Sequence, residues 1–548
     1  MFSPRDPNLL YFSNQYLFRT NDKGKHWTVL SPDLTRKELT IPPNLDPSSA
    51  QNSAIKEPRR GVIYAIAPSP VRDHLIWAGT DDGLIWITND EGEHWQDVTP
   101  KELTPWSKVG IIEASHFDAD TAYAAIDRHR LEDYKPYIYR THDGGKTWKL
   151  IAEGIPDGEF VNVVREDEKK PHLLYAGTEL GIYVSFDDGD HWQTLHSNLP
   201  VTSIRNIDVH DDDLVIGTHG RAFWIMDNIT PLRQIDDVKA SSDAFLYKPA
   251  MAYRIHLSGF TGSPLPKDES IALNPPDGAM IDYYIGKGVS SPVTLEILDQ
   301  AGKLVRKYSS EDKTPVIDSG KITVTPNWFH LPATLSTEAG MHRFIWDLHE
   351  PFPDELKEGE SKDGTMPAGV WSMPGDYTAK LTVNGHSYQQ KFTVKNDPRI
   401  KLSETDLMKQ YEFAKQIQAK RLEVSKATHE VKNLLKQAEE LRTKSSGKIA
   451  DKISAFENAI TDLTEYRANP IGWGKPGSAP AKSTSFYYLS SAFSDLQQAI
   501  DSADAAPTVD AVSGFEKQSA ALKVALERWE KFKAQTLPAF KDLFHNVK

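Results

Sequence analysis

Thr20-Asn-Asp22-Lys-Gly24-Lys-His-Trp27 returns three times before residue 200. The later copies are Thr88-Asn-Asp90-Glu-Gly92-Glu-His-Trp95, Thr141-His-Asp143-Gly-Gly145-Lys-Thr-Trp148 and Ser185-Phe-Asp187-Asp-Gly189-Asp-His-Trp192. Each reads Ser/Thr-x-Asp-x-Gly-x-x-Trp, and each is flanked by aromatic and β-branched runs such as Leu84-Ile-Trp-Ile87 and Trp148-Lys-Leu-Ile151. Strand, polar turn, strand is the signature of a hairpin. The glycine suits a positive backbone φ, the aspartate bonds amides inside the turn, and the tryptophan covers the turn with an apolar face. All three roles are structural, so an in-register repeat fixes architecture before chemistry.

The unit extends beyond the turn. Ser3-Pro-Arg-Asp-Pro-Asn-Leu-Leu-Tyr11 aligns with Ser69-Pro-Val-Arg-Asp-His-Leu-Ile-Trp77, and Ala78-Gly-Thr80 aligns with Ala176-Gly-Thr178 and Ile216-Gly-Thr218. The repeat aspartates lie 68, 53 and 44 residues apart, against about 40–50 residues for a four-stranded propeller blade. A polar insert, Leu39 to Arg60, lengthens the first interval, and a fifth unit over Asn206 to Asn228 has strands without the turn. We expect about five blades over residues 1–235. Met1 falls almost directly into a strand, which suggests further blades ahead of it; a five-bladed ring is the competing reading.

The motif resembles the Asp-box, or BNR repeat, of sialidase-like and sortilin-like β-propellers. The succession along the chain resembles large bacterial BNR-repeat proteins often labelled glycosyl hydrolases. The resemblance rests on the four boxes, Gly217-Thr-His-Gly-Arg221, Pro374-Gly-Asp-Tyr377 and Asp397-Pro-Arg399. In that family the box sits on a blade's outer hairpin, which argues against catalysis by Asp22, Asp90, Asp143 or Asp187. The family also implies an extracytoplasmic location, periplasmic or extracellular, although the chain carries no signal peptide. Such labels imply fold better than reaction.

Beyond Pro231 the pattern changes. Residues 240–398 alternate as short strands with turns at Asp299-Gln-Ala-Gly302 and Asn384-Gly385, which suggests an immunoglobulin-like β-sandwich. The stretch Asp354 to Gly369 reads as a loop or edge insertion. From residue 402 to 548 the period becomes 3.6. Ser403-Glu-Thr-Asp406 is a helix start, and Leu407, Tyr411, Ala414, Ile417, Val424, Val431, Leu435 and Ala438 form one stripe. Four helices are expected, packed antiparallel as a four-helix bundle or long hairpins. The loop Asn469 to Gly477, around Trp473, is a docking element at most. The fold class is therefore multidomain and mainly β: propeller, sandwich, helical bundle.

Composition excludes several functions. The 548 residues carry a net charge of −14 and no cysteine. Nothing basic invites nucleic acid, thiolate chemistry and Cys-ligated zinc are absent, and no apolar run reaches the length of a membrane span. No phosphate loop or dinucleotide fingerprint occurs, so no cofactor is expected, and no metal motif stands out. His94 and His191 read as turn residues.

Two segments carry binding potential. His219 and Arg221 lie on a glycine-framed turn, where arginine offers a planar fork to carboxylate or phosphate; a structural ion pair is the plainer reading. Asp127, Arg128 and His129 begin a long loop of the kind that lines propeller faces; an idle surface loop is the plainer reading. A sialidase's arginine cluster is not assignable among Arg128, Arg130, Arg140 and Arg221, and catalytic residues are unknown. The expectation is a binding protein for a glycan or peptide ligand, with a glycoside hydrolase acting on extracellular polysaccharide as the alternative.

Overall fold

The computed structural model describes residues 1–37, 61–195, 197–239, 243–256, 274–289, 292–314, 333–357, 368–464 and 483–547, with the single residues 320, 322 and 331. The insert Leu39 to Arg60, most of Asp354 to Gly369 and the Trp473 loop fall outside these. The chain forms two compact units, Met1–Ile235 and Asp236–Lys548.

The first unit is a succession of five small antiparallel sheets, each a meander of sequence neighbours in a propeller-like arrangement. The first comprises Leu10–Ser13, Leu17–Thr20 and Thr28–Val29; the second Ile63–Pro68, Ile76–Thr80, Ile85–Thr88 and Gln96–Asp97. The third comprises Lys108–Ala114, Ala122–Asp127, Ile138–Thr141 and Lys149–Leu150; the fourth Val161–Glu166, Leu174–Thr178, Ile182–Ser185 and Gln193–Thr194. The fifth has Ile204–His210, Asp213–Thr218 and Phe223–Met226. Sheets two to four hold four strands. In the first, Met1–Ser3 lie along the inner edge: Met1 exchanges backbone bonds with Tyr11 (3.0 and 2.8 Å), Phe2 bridges Leu10, and Ser3 donates to the Leu9 carbonyl (2.9 Å). The fifth has three strands, and the turn motif does not occur in it.

Strands buried on both faces explain why the sequence reads as continuous apolar runs. Every residue of Ile76–Thr80 and Leu174–Thr178 is buried. Shared cores join successive sheets: Trp77, Val109 and Ile112 between the second and third, Tyr123, Ile151 and Tyr183 between the third and fourth, Tyr175, Ile204 and Ile216 between the fourth and fifth.

The four repeat turns share one geometry. In the second, the Thr88 hydroxyl donates to Asp90 Oδ1 (2.8 Å) and accepts from the Gly92 amide (2.9 Å), while Asp90 accepts the His94 amide (2.9 Å). The glycine is left-handed in all four, with φ between 83° and 98°. Trp95, Trp148 and Trp192 then donate their indole N–H groups to the carbonyls of Leu30, Val98 and Ile151 on the preceding sheet, at 2.9, 2.7 and 2.8 Å. The motif is thus a clasp between sheets as well as a turn.

In the second unit, a three-stranded sheet (Ala244–Leu246, Ala279–Ile285, Gly340–Trp346) and a five-stranded sheet (Ala252–Arg254, His386–Asn396, Gly375–Val383, Thr294–Leu298, Leu304–Ser309) share one core around Trp346, Leu295 and Phe392. Asn384 and Gly385, both at positive φ, make the expected hairpin. Helices follow at Glu404–Arg442, Lys448–Thr464, Phe486–Asp501, Val509–Gln535 and Leu537–Val547. Ser403 caps the first, accepting the Asp406 amide at 3.1 Å. The expected stripe is buried at Leu407, Ala414, Ile417, Val424, Val431 and Ala438. The fifth helix corrects the expectation of four. Pro538 sits at its first turn, where proline is tolerated, and Phe540 stacks on Phe456 at 3.6 Å.

Candidate functional site

In each four-stranded sheet, the loop from second to third strand lies at one edge and the repeat turn at the opposite edge. Both segments singled out from sequence occupy the first kind of loop, one in the third sheet and one in the fifth. They therefore share an edge, with the fourth sheet between them. Among the described residues no bond joins them.

The third-sheet loop is tied to itself. Asp127 is buried and accepts both the backbone N–H of His129 (3.0 Å) and its Nδ1 (2.6 Å). Arg128 pairs with Asp133 at 3.1 Å and lies 5.1 Å from the Tyr137 ring centroid. The His129 ring stacks on Phe160 at 5.1 Å. Asp127 and Arg128 are thus committed to shaping the loop. On the fifth sheet, His219 and Arg221 are exposed. Their backbone is fixed, His219 donating to the Ser203 carbonyl (2.8 Å) and Arg221 to the Thr218 hydroxyl (3.0 Å). Neither side chain bonds another described residue.

The chemistry-bearing cluster that sequence reasoning missed lies on the inner strands. A cavity of about 410 Å³ is lined by Tyr64, Ile66, Pro68, Ile111, Glu113 and Arg165, among others. Its floor is mostly apolar, and its polar wall is a closed network. Arg165 donates to Glu113 (2.9 Å), to the Ile207 carbonyl (2.9 Å) and to Asn206 (3.1 Å), so one guanidinium ties the third, fourth and fifth sheets. Glu113 also accepts from His116 Nε2 (3.2 Å) and the Glu166 amide (3.3 Å), while Glu166 accepts the His116 amide (2.8 Å).

Burial raises the Glu166 pKa, with the Glu113 charge adding to it against bonds from Ser115 and His116. Burial pulls His116 the other way, but its bond to Glu113 and that carboxylate's charge leave it raised. Tyr64 projects from the second sheet's inner strand, 55% exposed, with the Lys108 ammonium 3.7 Å from its ring centroid. No local signal marks this wall. Arg165 and Glu166 end the inner strand Val161–Glu166, in which Asn162 is already polar, so the strand's own sequence does not set them apart.

Asp90, Glu93 and His94 are the one trio among the described residues whose ligand atoms could converge on a cation. All belong to the second repeat turn, where Asp90 already serves the His94 amide and ring.

No protein-family model matches the chain, and no curated protein does. Among solved structures it is similar to YCF48 from Cyanidioschyzon merolae, at 18% identity over 30% of this chain and 53% of that one, with a TM-score of 0.24. A structure of YCF48 bound to D1 peptide matches at 14% identity, over 47% and 71% of the two chains, with a TM-score of 0.25. The GH74 xyloglucanase from Xanthomonas campestris matches at 14% identity, over 71% and 70%, with a TM-score of 0.29. The chain spans about half the length of the first of these. All are β-propeller proteins, and the likeness is too distant to bear on activity.

Proposed function

We propose that the chain is an extracytoplasmic, Asp-box-type propeller protein that binds a peptide, with residues 1–235 supplying the binding surface. Residues 240–398, as an immunoglobulin-like sandwich, and 402–548, as a helical bundle, would act as its support. The observation that supports this reading is the inner-strand cavity. Its mostly apolar lining and few convergent polar groups are what a ligand pocket needs, and Tyr64 offers an exposed aromatic anchor. Apolar lining suits peptide side chains better than a polyhydroxylated sugar. The exposed Tyr64 ring is what favours a glycan as second ligand class. His219 and Arg221, at the second-to-third-strand edge of the fifth sheet, would offer a separate contact for an acidic group.

The hydrolase alternative is weaker on geometry. A glycosidase needs one carboxyl group to deliver a proton to the leaving oxygen. Glu166 is buried and Glu113 is held by Arg165 and His116.

Peptide and glycan arrays probed with the chain and with Tyr64→Ala test the proposal. Binding to peptides that falls at least tenfold in the variant is expected. Retained binding would move the site elsewhere, and release of reducing ends from a polysaccharide would reinstate the hydrolase.

A further inference from the structure

In the second unit, two short stretches run antiparallel where the sheets meet the helices. Glu350 donates its amide to the Val370 carbonyl (2.9 Å) and Ser372 donates to the Leu348 carbonyl (2.8 Å), with His349 bridged to Trp371 between them. Leu348 and Trp371 pack in the sheet core, whereas Val370 is buried in the helix core with Phe413 and Ile417. The Glu350 carboxylate accepts from Tyr411 and Lys415 of the first helix. The paired stretches are therefore a seam between sheets and helices. The seam is strained: Leu348 holds φ at 58°, in the left-handed region that branched side chains rarely enter.

Cationic groups crowd one side of it. The Trp371 ring has His349 at 3.9 Å and His256 at 4.6 Å, and the Arg254 guanidinium carbon lies 5.8 Å from its centroid. Arg254 also donates to the Ser372 carbonyl (3.0 Å), and Arg306 to the Glu350 carbonyl (2.9 Å). Three aspartates face them. Asp504, on the connection between the third and fourth helices, binds both Arg254 and His256. Asp501 accepts from Gln497 (2.8 Å) and feels the charges of His256, Arg421 and Arg254, while burial raises its pKa. Asp347 precedes Leu348 and is 51% exposed at its side chain, against 12% for His349.

His349 Nδ1 lies 2.6 Å from the Asp347 carbonyl, which can only accept. The neutral ring therefore carries its proton on Nδ1, and a second proton goes to Nε2, which has no acceptor among the described residues. That proton would place a buried charge beside Arg254 and Arg306, with its nearest carboxylate facing water. Burial already lowers the ring's pKa, and His256 and Arg306 add to this against Asp347.

We propose that His349 is an acid-operated latch: protonation at Nε2 expels its ring from Trp371 and parts the two stretches, loosening the helices from the sheets while both stay folded. The Arg254–Asp504 and Lys415–Glu350 ion pairs contain no imidazole, so they keep the rest of the junction joined and the opening local. The closed form holds the neutral ring. The open form takes the proton first, so opening grows as pH falls below about 6.5. The latch stands on the second unit alone and does not depend on the ligand reading.

Hydrogen exchange of the full chain, resolved by amide, corrected for intrinsic rate and run at about pH 7.5 and about pH 5.5, tests the proposal. Protection of the Glu350 and Ser372 amides is expected to fall about fivefold or more at the lower pH, with a ceiling of about tenfold per pH unit for one proton. Leu381 in the sheets and Ile417 in the first helix are expected to keep theirs. His349→Gln should abolish the fall, and His256→Gln should leave it in place. A wild-type chain without the fall, the same fall in His349→Gln, or a fall shared by Leu381 and Ile417 overturns the latch. Should His349→Gln change the circular dichroism of the chain, the wild type decides alone: the His349 ring titration followed by NMR must share its midpoint with the loss of Ser372 protection, and separate midpoints overturn the proposal.

Discussion

Trp148 donates its indole N–H to the carbonyl of Val98, 2.7 Å away on the preceding sheet. The bond satisfies an acceptor that water cannot reach easily and fixes the ring over the junction. Trp148→Phe keeps the apolar face and deletes the donor, so it is expected to cost about 1–2 kcal/mol, the usual penalty for stranding one buried partner. Trp27→Phe is the internal control, because the Trp27 indole bonds no carbonyl among the described residues; its cost is expected within about 0.5 kcal/mol. Equal losses in urea unfolding would mean the inter-sheet bond contributes nothing.

The repeat aspartates set a pH limit on their turns. Asp90 has its pKa lowered to about 2, first by the backbone N–H of His94, then by that ring. Asp22 is lowered to about 2 by the same contacts with His26. The folded value lies below the ordinary carboxylate value, so the turn's contribution is complete above about pH 4 and is lost as pH falls toward 2. Carboxyl carbon shifts followed by NMR should report a midpoint near 2 for Asp90, and Asp90→Asn should remove that step from the acid unfolding curve. A midpoint near 4 would deny the turn geometry.

Much of this fold was legible because one eight-residue pattern, fixed at Ser/Thr, Asp, Gly and Trp, recurs in register. Asp90 and Gly92 dictate a local turn, and Trp95 a local cover, so sequence reasoning reaches them. It could not see that Trp95 bonds Leu30, since an inter-sheet acceptor 65 residues away leaves no local mark. The inner-strand wall was missed for the same reason. Arg165 looks like one more surface charge until the fold brings Glu113 and Asn206 to it from two other sheets. His219 and Arg221 could be singled out from their glycine-framed turn, but periodicity does not reveal what faces them. The fifth helix, Leu537–Val547, follows the fourth almost directly and carries Pro538 in its first turn, where a proline interrupts no helix bond.

In the second unit, Arg254 and His256 both reach Asp504, whose side chain is fully buried. Burial would raise the Asp504 pKa, but the His256 bond and the Arg254 charge outweigh it and the value is lowered. Asp504→Ala leaves the buried Arg254 guanidinium without its carboxylate and is expected to cost about 3–5 kcal/mol. Arg254→Met combined with Asp504→Leu removes both charges and should cost less than Asp504→Ala alone. Thermal unfolding of the second unit's own transition compares them. A double variant worse than the single would show that the pair stabilises the fold net of its desolvation.

His349 gives the same unit an acid response. Its ring lies 3.9 Å from Trp371, which also carries His256 at 4.6 Å and Arg254 at 5.8 Å. Burial lowers the His349 pKa, and the nearby His256 and Arg306 charges add to this against Asp347. A folded value below the unfolded one, about 6.5, means the unfolded chain takes the proton first. Stability is therefore expected to fall as pH drops below about 6.5, and His349→Gln should flatten that slope. A slope of unchanged steepness in the variant would assign it to another group.

Gly92 and Gly24 separate backbone strain from close approach. Both are left-handed, at φ 98° and 85°, so a Cβ at either carries a similar conformational penalty of about 1–2 kcal/mol. They differ in what the Cβ would meet. At Gly92 it would run into the Leu30 carbonyl, the acceptor of the Trp95 bond, whereas at Gly24 the nearest atom of the Trp27 ring is 3.9 Å away. Gly92→Ala must therefore push two sheets apart or distort the turn, an overpacking cost of about 1–3 kcal/mol beyond the strain. Gly24→Ala is expected to show the strain alone. Hydrogen exchange at the Val98 and Leu30 amides locates the damage: faster exchange at Leu30 only in Gly92→Ala places the extra loss at the junction. Equal losses in both variants would mean that the sheets tolerate the added carbon, and that glycine is required there by φ alone.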